Sequence, residues 1–335
     1  MFSREEYITS LFAPHPNIDK LAIQLFHYQH KSNKLYQEYL KALKFTPDKV
    51  KKVSDIPYLP ISLFKTHKIQ SGNYTPKLIF ESIGTTQTTP SQHLVKEPSI
   101  YEKSFRKGFA LFYGEIKDYV VIGLLPSYLE RKNASLVYMV NDFIQQSQHK
   151  ESGFYLNEYE KLFQTLTRLE QENKKILLIG VTFGLLDFVD KYKMRLKHTI
   201  IMETGGMKGR RKELTREEVH HRLTERLGVE NIHSEYGMTE LLSQAYSKGK
   251  GRFHSPPWMT IFLRDINDPL SLIPFPENGE KTTGVINVMD LANIDSCAFI
   301  ATDDLGVLYS DGSFEVRGRR DSSDLRGCSL MAIQS

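Results

Sequence analysis

Four stretches of this 335-residue sequence gather side chains that handle phosphate, a sugar diol or a hard cation. Residues 81–90 (ESIGTTQTTP) follow an apolar run and combine a glycine with several hydroxyls. A turn of that composition offers backbone N–H groups and O–H donors to phosphate oxygens, although it lacks the Gly-Lys-Ser/Thr ending of a Walker loop. A polar surface loop explains it equally well when it is taken alone. Residues 201–211 (IMETGGMKGRR) place paired glycines, Gly205 and Gly206, at the end of a buried-looking strand. A flat ring can approach such backbone with no side chain in the way. The basic run that follows suits either phosphate or a solvated helix entry. Residues 234–240 (SEYGMTE) set the Thr239 hydroxyl beside the Glu240 carboxylate after a glycine turn. Magnesium usually takes one carboxylate plus substrate phosphates. That makes Glu240 a candidate metal ligand and Thr239 a phosphate contact; a helix cap accounts for the threonine but not for the whole string. Finally, residues 300–306 (IATDDLG) and 315–321 (EVRGRRD) supply an aspartate after a strand, able to accept both protons of a ribose diol, and an arginine soon after it.

In this order the four stretches resemble the motif series of the adenylate-forming superfamily, which includes acyl-CoA synthetases, luciferases and nonribosomal adenylation domains. The resemblance spans roughly residues 81–328, and residues 236–240 (YGMTE) are its most specific match. Three further strings are similar to those of the LuxE-type acyl-protein synthetases: residues 57–65 (PYLPISLFK), 203–210 (ETGGMKGR) and 324–330 (DLRGCSL). The resemblance implies ATP and magnesium as cofactors. It implies Ser82, Thr85, Thr86 and Thr88 around the pyrophosphate, Gly205 and Gly206 beside adenine, and Tyr236 stacking near the ring. Thr239 is implied at the α-phosphate, Glu240 at magnesium, and Asp304 and Arg319 on the ribose. Three positions depart from the pattern. Gln87 stands where the phosphate turn usually has glycine, Asp303 replaces the glycine before the ribose aspartate, and the usual Pro-Lys after the turn is absent, leaving His93 or Lys96 to substitute.

The larger synthetases continue past the Gly-Arg-x-Asp string into a small lid that carries a lysine. The segment after Asp321 is too short for one, so the expectation is a chain without the C-terminal lid. That shifts attention to Cys328. A thiolate attacks an acyl adenylate to store the acyl group as a thioester, and the resemblance implies an acyl-cysteine near this position. Arg326 lowers the thiol pKa if the two approach in space; the competing reading is a small buried hydrophobe. Cys297 reads as a core residue, His220 and His221 as solvent-facing on a helix, and His233 as without an assigned role.

The elements that must position these residues alternate. Residues 18–43 show mostly helical spacing, and the proline-containing run 56–64 reads as an extended connector laid on a core. Strands are expected at 77–81, 119–124, 175–180, 199–203 and 231–235. Helices are expected at 100–112, 134–145, 158–170, 183–194 and 216–227. Alternation of this kind predicts a layered α/β domain with a largely parallel sheet. Residues 1–75 form its helical N-terminal part, 76–255 the α/β core and 256–335 a smaller β-rich subdomain. Phe105, Phe109, Leu111 and Phe112 form an apolar stripe able to line an acyl pocket, or simply to build the core.

Composition narrows the rest. A net charge of +4, from 44 basic and 40 acidic residues, is too mild and too evenly spread for a nucleic-acid partner. Two cysteines exclude a disulfide framework, and no metal-ligand spacing suggests zinc. A charged N-terminus and the lack of a long apolar run predict a cytoplasmic protein with no membrane span. The expected reaction joins a fatty or other apolar carboxylic acid to AMP and then passes the acyl group to a thiol: Cys328, coenzyme A, a carrier protein or an acyl-reductase partner. The rivals are a ligase using coenzyme A directly and a nucleotide-binding scaffold without turnover. Acyl transfer without ATP would leave Asp304 and Arg319 without a task.

Overall fold

A computed structural model describes residues 2–82, 89–125, 133–205 and 214–319. It opens with helices α1 (Arg4–Leu11), α2 (Ile18–Ser32) and α3 (Lys34–Ala42), then a two-residue strand β1 (Leu59–Pro60) and the 3₁₀ turn Ile61–Lys65. The helical spacing of residues 18–43 is broken once, at Asn33. Its side chain accepts the Tyr36 N–H at 3.0 Å to start α3, and its amide donates to the Ser296 carbonyl at 3.1 Å. An asparagine at a cap competes with helix continuation because it satisfies the orphan N–H groups itself.

Strands β2 (Leu78–Glu81) and β3 (Gln92–Val95) pair antiparallel as a separate ribbon. The run 77–81 is therefore a strand, as its sequence suggests, but it does not join the parallel sheet. Its partner, with polar Gln92 and His93 in only four residues, carries little strand signal. The alternating part follows as α4 (Pro98–Tyr113), β4 (Val120–Leu124), α5 (Ser135–Ser147), β5 (Gly153–Phe154), α6 (Tyr159–Gln171), β6 (Ile176–Gly180), α7 (Thr182–Lys191), β7 (Thr199–Glu203), α8 (Arg216–Leu227) and β8 (His233–Tyr236). Strands β5, β4, β6, β7 and β8 pair in that order, all parallel. Their apolar runs mark burial on both faces. Val120, Ile122 and Leu124 pack with Leu162, Leu166 and Leu223 on one side, while Val121, Leu177 and Ile179 pack with Phe105, Phe109 and Phe143 on the other.

The chain then adds β9 (Ala245–Ser247), β10 (Arg252–His254), β11 (Met259–Arg264), β12 (Lys281–Asp290), β13 (Phe299–Tyr309) and β14 (Phe314–Arg319). These strands pair antiparallel with one another, β9 pairs with β8, and β1 adds to β13, so one 12-stranded sheet carries both halves. Among the described residues no helix is long and apolar enough to cross a membrane.

Buried Gln29 ties the N-terminal helices to this sheet. Its amide nitrogen donates to the carbonyls of Asn293 at 2.8 Å and Ile294 at 3.1 Å, while its oxygen accepts the Ala298 N–H at 3.0 Å. Gln29→Leu is expected to strand those backbone groups and cost about 1–3 kcal/mol. A urea-unfolding midpoint equal to that of the parent would contradict this.

Candidate functional site

Strands β6, β7 and β8 end side by side at Gly180, Glu203 and Tyr236. Beyond β7 and β8 opens a cavity of about 330 Å³, lined among others by Thr182, Glu203, Gly205, Arg216, Glu235, Tyr236 and Phe253. Ligands of open α/β sheets bind beyond the carboxyl ends of the strands, and this volume lies within the range of small-molecule sites. Gly205 has φ +74°, and among the described residues no atom beyond its chain neighbours lies within 4 Å of where its Cβ would stand. The left-handed backbone favours glycine, and Gly205 lines the cavity.

Glu203 holds that turn. Its Oε1 accepts from the Thr182 hydroxyl and from the Gly205 N–H at 2.8 Å, and its Oε2 lies 4.0 Å from His220 Nε2. Burial pushes this carboxyl upward, but the His220 and Thr182 contacts and the Arg216 charge outweigh it and keep the group ionised. His220 is thus half-buried beside Glu203 and not solvent-facing as its sequence suggested. It follows Val219, which opens the buried stripe Val219, Leu223 and Leu227 of α8, so it sits at the edge of the packed face; His221 is exposed. Glu235 lies close enough to feel the Glu203 charge. Burial, then that charge, push its carboxyl up to about 8, so it is protonated at neutral pH. Two neighbouring carboxyls are pushed apart, and the cavity faces an anionic ligand with one negative charge already paired and the other absent.

Tyr236 lines the cavity and reaches out of β8 to Asp304 on β13. Its hydroxyl donates to Asp304 Oδ2 at 2.8 Å, while Arg319 Nε, on the paired strand β14, donates to Oδ1 at 3.3 Å. Its ring meets Phe253 and Phe314 edge-on, with centroids 6.0 and 5.4 Å away. A carboxylate has about four lone-pair sites, so among the described residues each oxygen of Asp304 keeps one for a further donor. Burial raises its pKa, and Arg319 and Tyr236 oppose the shift.

Glu240 is buried. Its backbone is pinned by Asn293 Nδ2, which donates to the Glu240 carbonyl at 2.8 Å, and by His93 Nδ1, which donates to the Thr239 carbonyl at 2.8 Å. Burial raises the Glu240 pKa against the Ser91 hydroxyl, its own N–H and the charges of Arg319 and Lys65. Burial also drives the His93 pKa down to about 4. His93 is therefore a neutral side chain that positions the Thr239–Glu240 peptide and does not act as a phosphate cation. Lys96 lies 4.0 Å from Asp295 Oδ1 and over the Tyr74 ring. Neither side chain expected to replace the absent Pro-Lys is available for that task.

The Ser82 hydroxyl accepts the Ser91 N–H at 2.8 Å, and the Ser82 N–H donates to the Ser91 carbonyl at 3.0 Å, which closes the base of the hydroxyl-rich turn. Thr85, Thr86, Thr88, Gly206 and Cys328 lie outside the described residues. Phe105 and Phe109 pack in the core against Phe143, and Leu111 is exposed; none of them lines the cavity. Cys297 is fully buried, as its setting predicts. Sequence reasoning passed over Thr182, His220 and Glu235. The available signal was position, since Thr182 and Glu235 flank strand ends and His220 borders an apolar stripe.

The family model described as "Acyl-protein synthetase, LuxE" matches residues 15–335. A long-chain-fatty-acid–luciferin-component ligase of Aliivibrio fischeri is 24% identical over 339 residues, covering 93% of this chain and 86% of that one. The fold is similar to that of ATP-bound MatB from Rhodopseudomonas palustris, with a TM-score of 0.54 at 15% identity over 74% of this chain and 49% of the other. A long-chain-fatty-acid–CoA ligase from Archaeoglobus fulgidus gives a TM-score of 0.51 at 13% identity over 72% and 51%. The chain spans about half the length of these solved structures, and likeness at such identity speaks to the fold.

Proposed function

This chain belongs to the LuxE acyl-protein synthetase family, and on that premise we propose that it uses ATP to activate a long-chain carboxylic acid as its acyl adenylate and then passes the acyl group to a thiol. The observation that carries the reading is Asp304, held by Arg319 and by Tyr236, which itself lines the cavity at the strand ends, with a lone-pair site on each oxygen unclaimed among the described residues for a ribose diol. A long acyl chain is the substrate class of the Aliivibrio fischeri relative.

One oxygen of the acid attacks the α-phosphorus, and pyrophosphate leaves with the electrons of the broken P–O bond. A thiolate then attacks the acyl carbonyl, and AMP leaves carrying the oxygen that the acid supplied. Gly205 gives the adenine ring its approach beside the Glu203-held turn, and Asp304 with Arg319 fixes the ribose. Thr239 meets the α-phosphate, and the Ser82 turn meets the phosphates beyond it. The donor set around Glu240 fits magnesium: one hard carboxylate beside the Ser91 hydroxyl, leaving phosphate oxygens and water to complete the shell. That ion, when bound, would offset the charge of the departing pyrophosphate. The residues supply mainly alignment and fixed charge, because the acid is already a nucleophile at neutral pH. Cys328 is the acceptor thiol in this reading.

Exchange of labelled pyrophosphate into ATP, measured across carboxylic acids of increasing chain length, tests the reading. Magnesium-dependent exchange that peaks with a long-chain acid supports it; none with any acid defeats it. Asp304→Ala is expected to raise the KM for ATP by about 10- to 100-fold, corresponding to roughly 1.5–3 kcal/mol for a hydrogen bond to a charged group, while the KM for the acid changes little. An unchanged KM for ATP removes Asp304 from the site.

A further inference from the structure

One carboxylate shapes the turn after β7. Glu203 is only 7% exposed and lines the cavity, and its Oε1 accepts from the Thr182 hydroxyl and the Gly205 N–H. These two contacts hold the side chain, so the place of Oε2 is set as well. That oxygen lies 4.0 Å from His220 Nε2, beyond hydrogen-bond distance, and among the described residues it accepts no hydrogen bond. A buried carboxylate oxygen is stabilised when a donor reaches it. Burial opposes ionisation here, but the His220 and Thr182 contacts and the Arg216 charge outweigh it, and the oxygen stays an acceptor.

The residues that line the cavity place this oxygen relative to a nucleoside. Glu203 and Ser234 are partners in register on β7 and β8, so their side chains share a face of the sheet. Tyr236, two residues beyond Ser234, follows on the same face. All three line the cavity together with Gly205, and the Tyr236 hydroxyl leads on to Asp304. A nucleoside with its ribose on Asp304 and its base against Gly205 brings an edge of that base to Glu203. Adenine carries an amine at C6, a donor, where guanine and hypoxanthine carry an oxo group, an acceptor. We propose that Glu203 selects the base: its Oε2 accepts a hydrogen bond from the 6-amino group of adenine, and its charge rejects a 6-oxopurine. The same side chain thereby shapes the glycine turn through one oxygen and reads the base through the other. The assignment rests on the adenylation reading above.

The test measures acid-dependent pyrophosphate exchange by the full chain with three nucleotides: ATP, purine riboside triphosphate, which lacks the amine, and ITP, which has an oxo group in its place. For the parent, kcat/KM is expected to fall about tenfold with the purine analogue, the scale of one lost hydrogen bond to a charged group. With ITP it should fall about 100-fold or more, because two acceptors then oppose each other. Glu203→Gln can keep the turn, its carbonyl oxygen accepting from Thr182 and Gly205 while its amide N–H groups meet the base. That variant should shift the preference toward ITP by about tenfold or more and lose the advantage of ATP over the purine analogue. A loss by the same factor with all three nucleotides would mark a structural role and overturn the proposal. Equal kcat/KM values for ATP and the purine analogue in the parent overturn it without any variant, so the test stands even if Glu203→Gln does not fold. A parent that exchanges with none of the three would instead remove the adenylation reading, and this assignment with it.

Discussion

Glu240→Ala is expected to lower ATP–pyrophosphate exchange by about 100-fold or more while leaving the fold intact. The carboxylate sits at the end of the YGMTE run, its peptide fixed by Asn293 and His93. Loss of one fixed group facing transition-state charge typically costs about 100- to 1,000-fold in rate. The stability sign runs the other way. Burial raises the Glu240 pKa above its ordinary value, so the folded state binds this proton more tightly than the unfolded chain. Stability from that group is therefore greatest below the unfolded pKa and declines as pH rises through the folded one. Above the unfolded pKa this raised value weighs against folding, and Glu240→Ala or Glu240→Gln should unfold at the same temperature as the parent or a higher one. Exchange at the parental rate by a folded Glu240→Ala would remove the residue from the magnesium site. A lost fold would show that its role is structural.

Cys328→Ser should abolish acyl labelling of the protein by ATP and a labelled long-chain acid, yet keep exchange near the parental rate, because adenylation precedes the thiol step. Hydroxylamine should release the label from the parent, as it cleaves a thioester readily and an amide poorly. Cys297→Ser is the control. Burial pushes the Cys297 thiol up to about 12, so it presents almost no thiolate at neutral pH. Full labelling of Cys328→Ser would instead place the acyl group on another residue of the chain and remove Cys328 as its acceptor.

The layered core was legible because burial on both faces leaves continuous apolar runs. VVIGL, ILLIG and TIIME were placed within a residue of β4, β6 and β7, and the helix at 216–227 matched α8 at both ends. The Thr215–Glu218 capping box gives that helix a local start signal. Strand β3 was missed because four residues including Gln92 and His93 show neither a continuous run nor a clean alternation. The strands after Pro256 were legible as strands, but nothing local shows that they extend the same sheet through β9 and β10, each only three residues long.

The site divides along the same line. Asp304 and Tyr236 were named through motif order, and a direct hydrogen bond joins these two residues 68 positions apart. His93 carried the right label for the wrong task. An isolated histidine near a phosphate turn suggests a cation, and only its burial shows that it is neutral and serves the Thr239 peptide. Glu235 looked like one more polar residue in SEYGMTE until its packing beside Glu203 gave it a shifted proton. The link from Phe64 to the Thr239 peptide runs through His93, contacts between residues far apart in the chain, and no spacing rule reports it.

The central claim is that the acid becomes joined to AMP through one of its own oxygens, and isotope transfer tests it directly. The parent enzyme is turned over with ATP, magnesium and a long-chain acid carrying ¹⁸O in both carboxylate oxygens, and the products are examined by mass spectrometry. One ¹⁸O is expected in the phosphate of AMP and none in pyrophosphate, because thiol or water attack at the acyl carbon releases AMP with the bridging oxygen. Turnover that gives ADP and ¹⁸O-labelled inorganic phosphate, or AMP without the isotope, would contradict it.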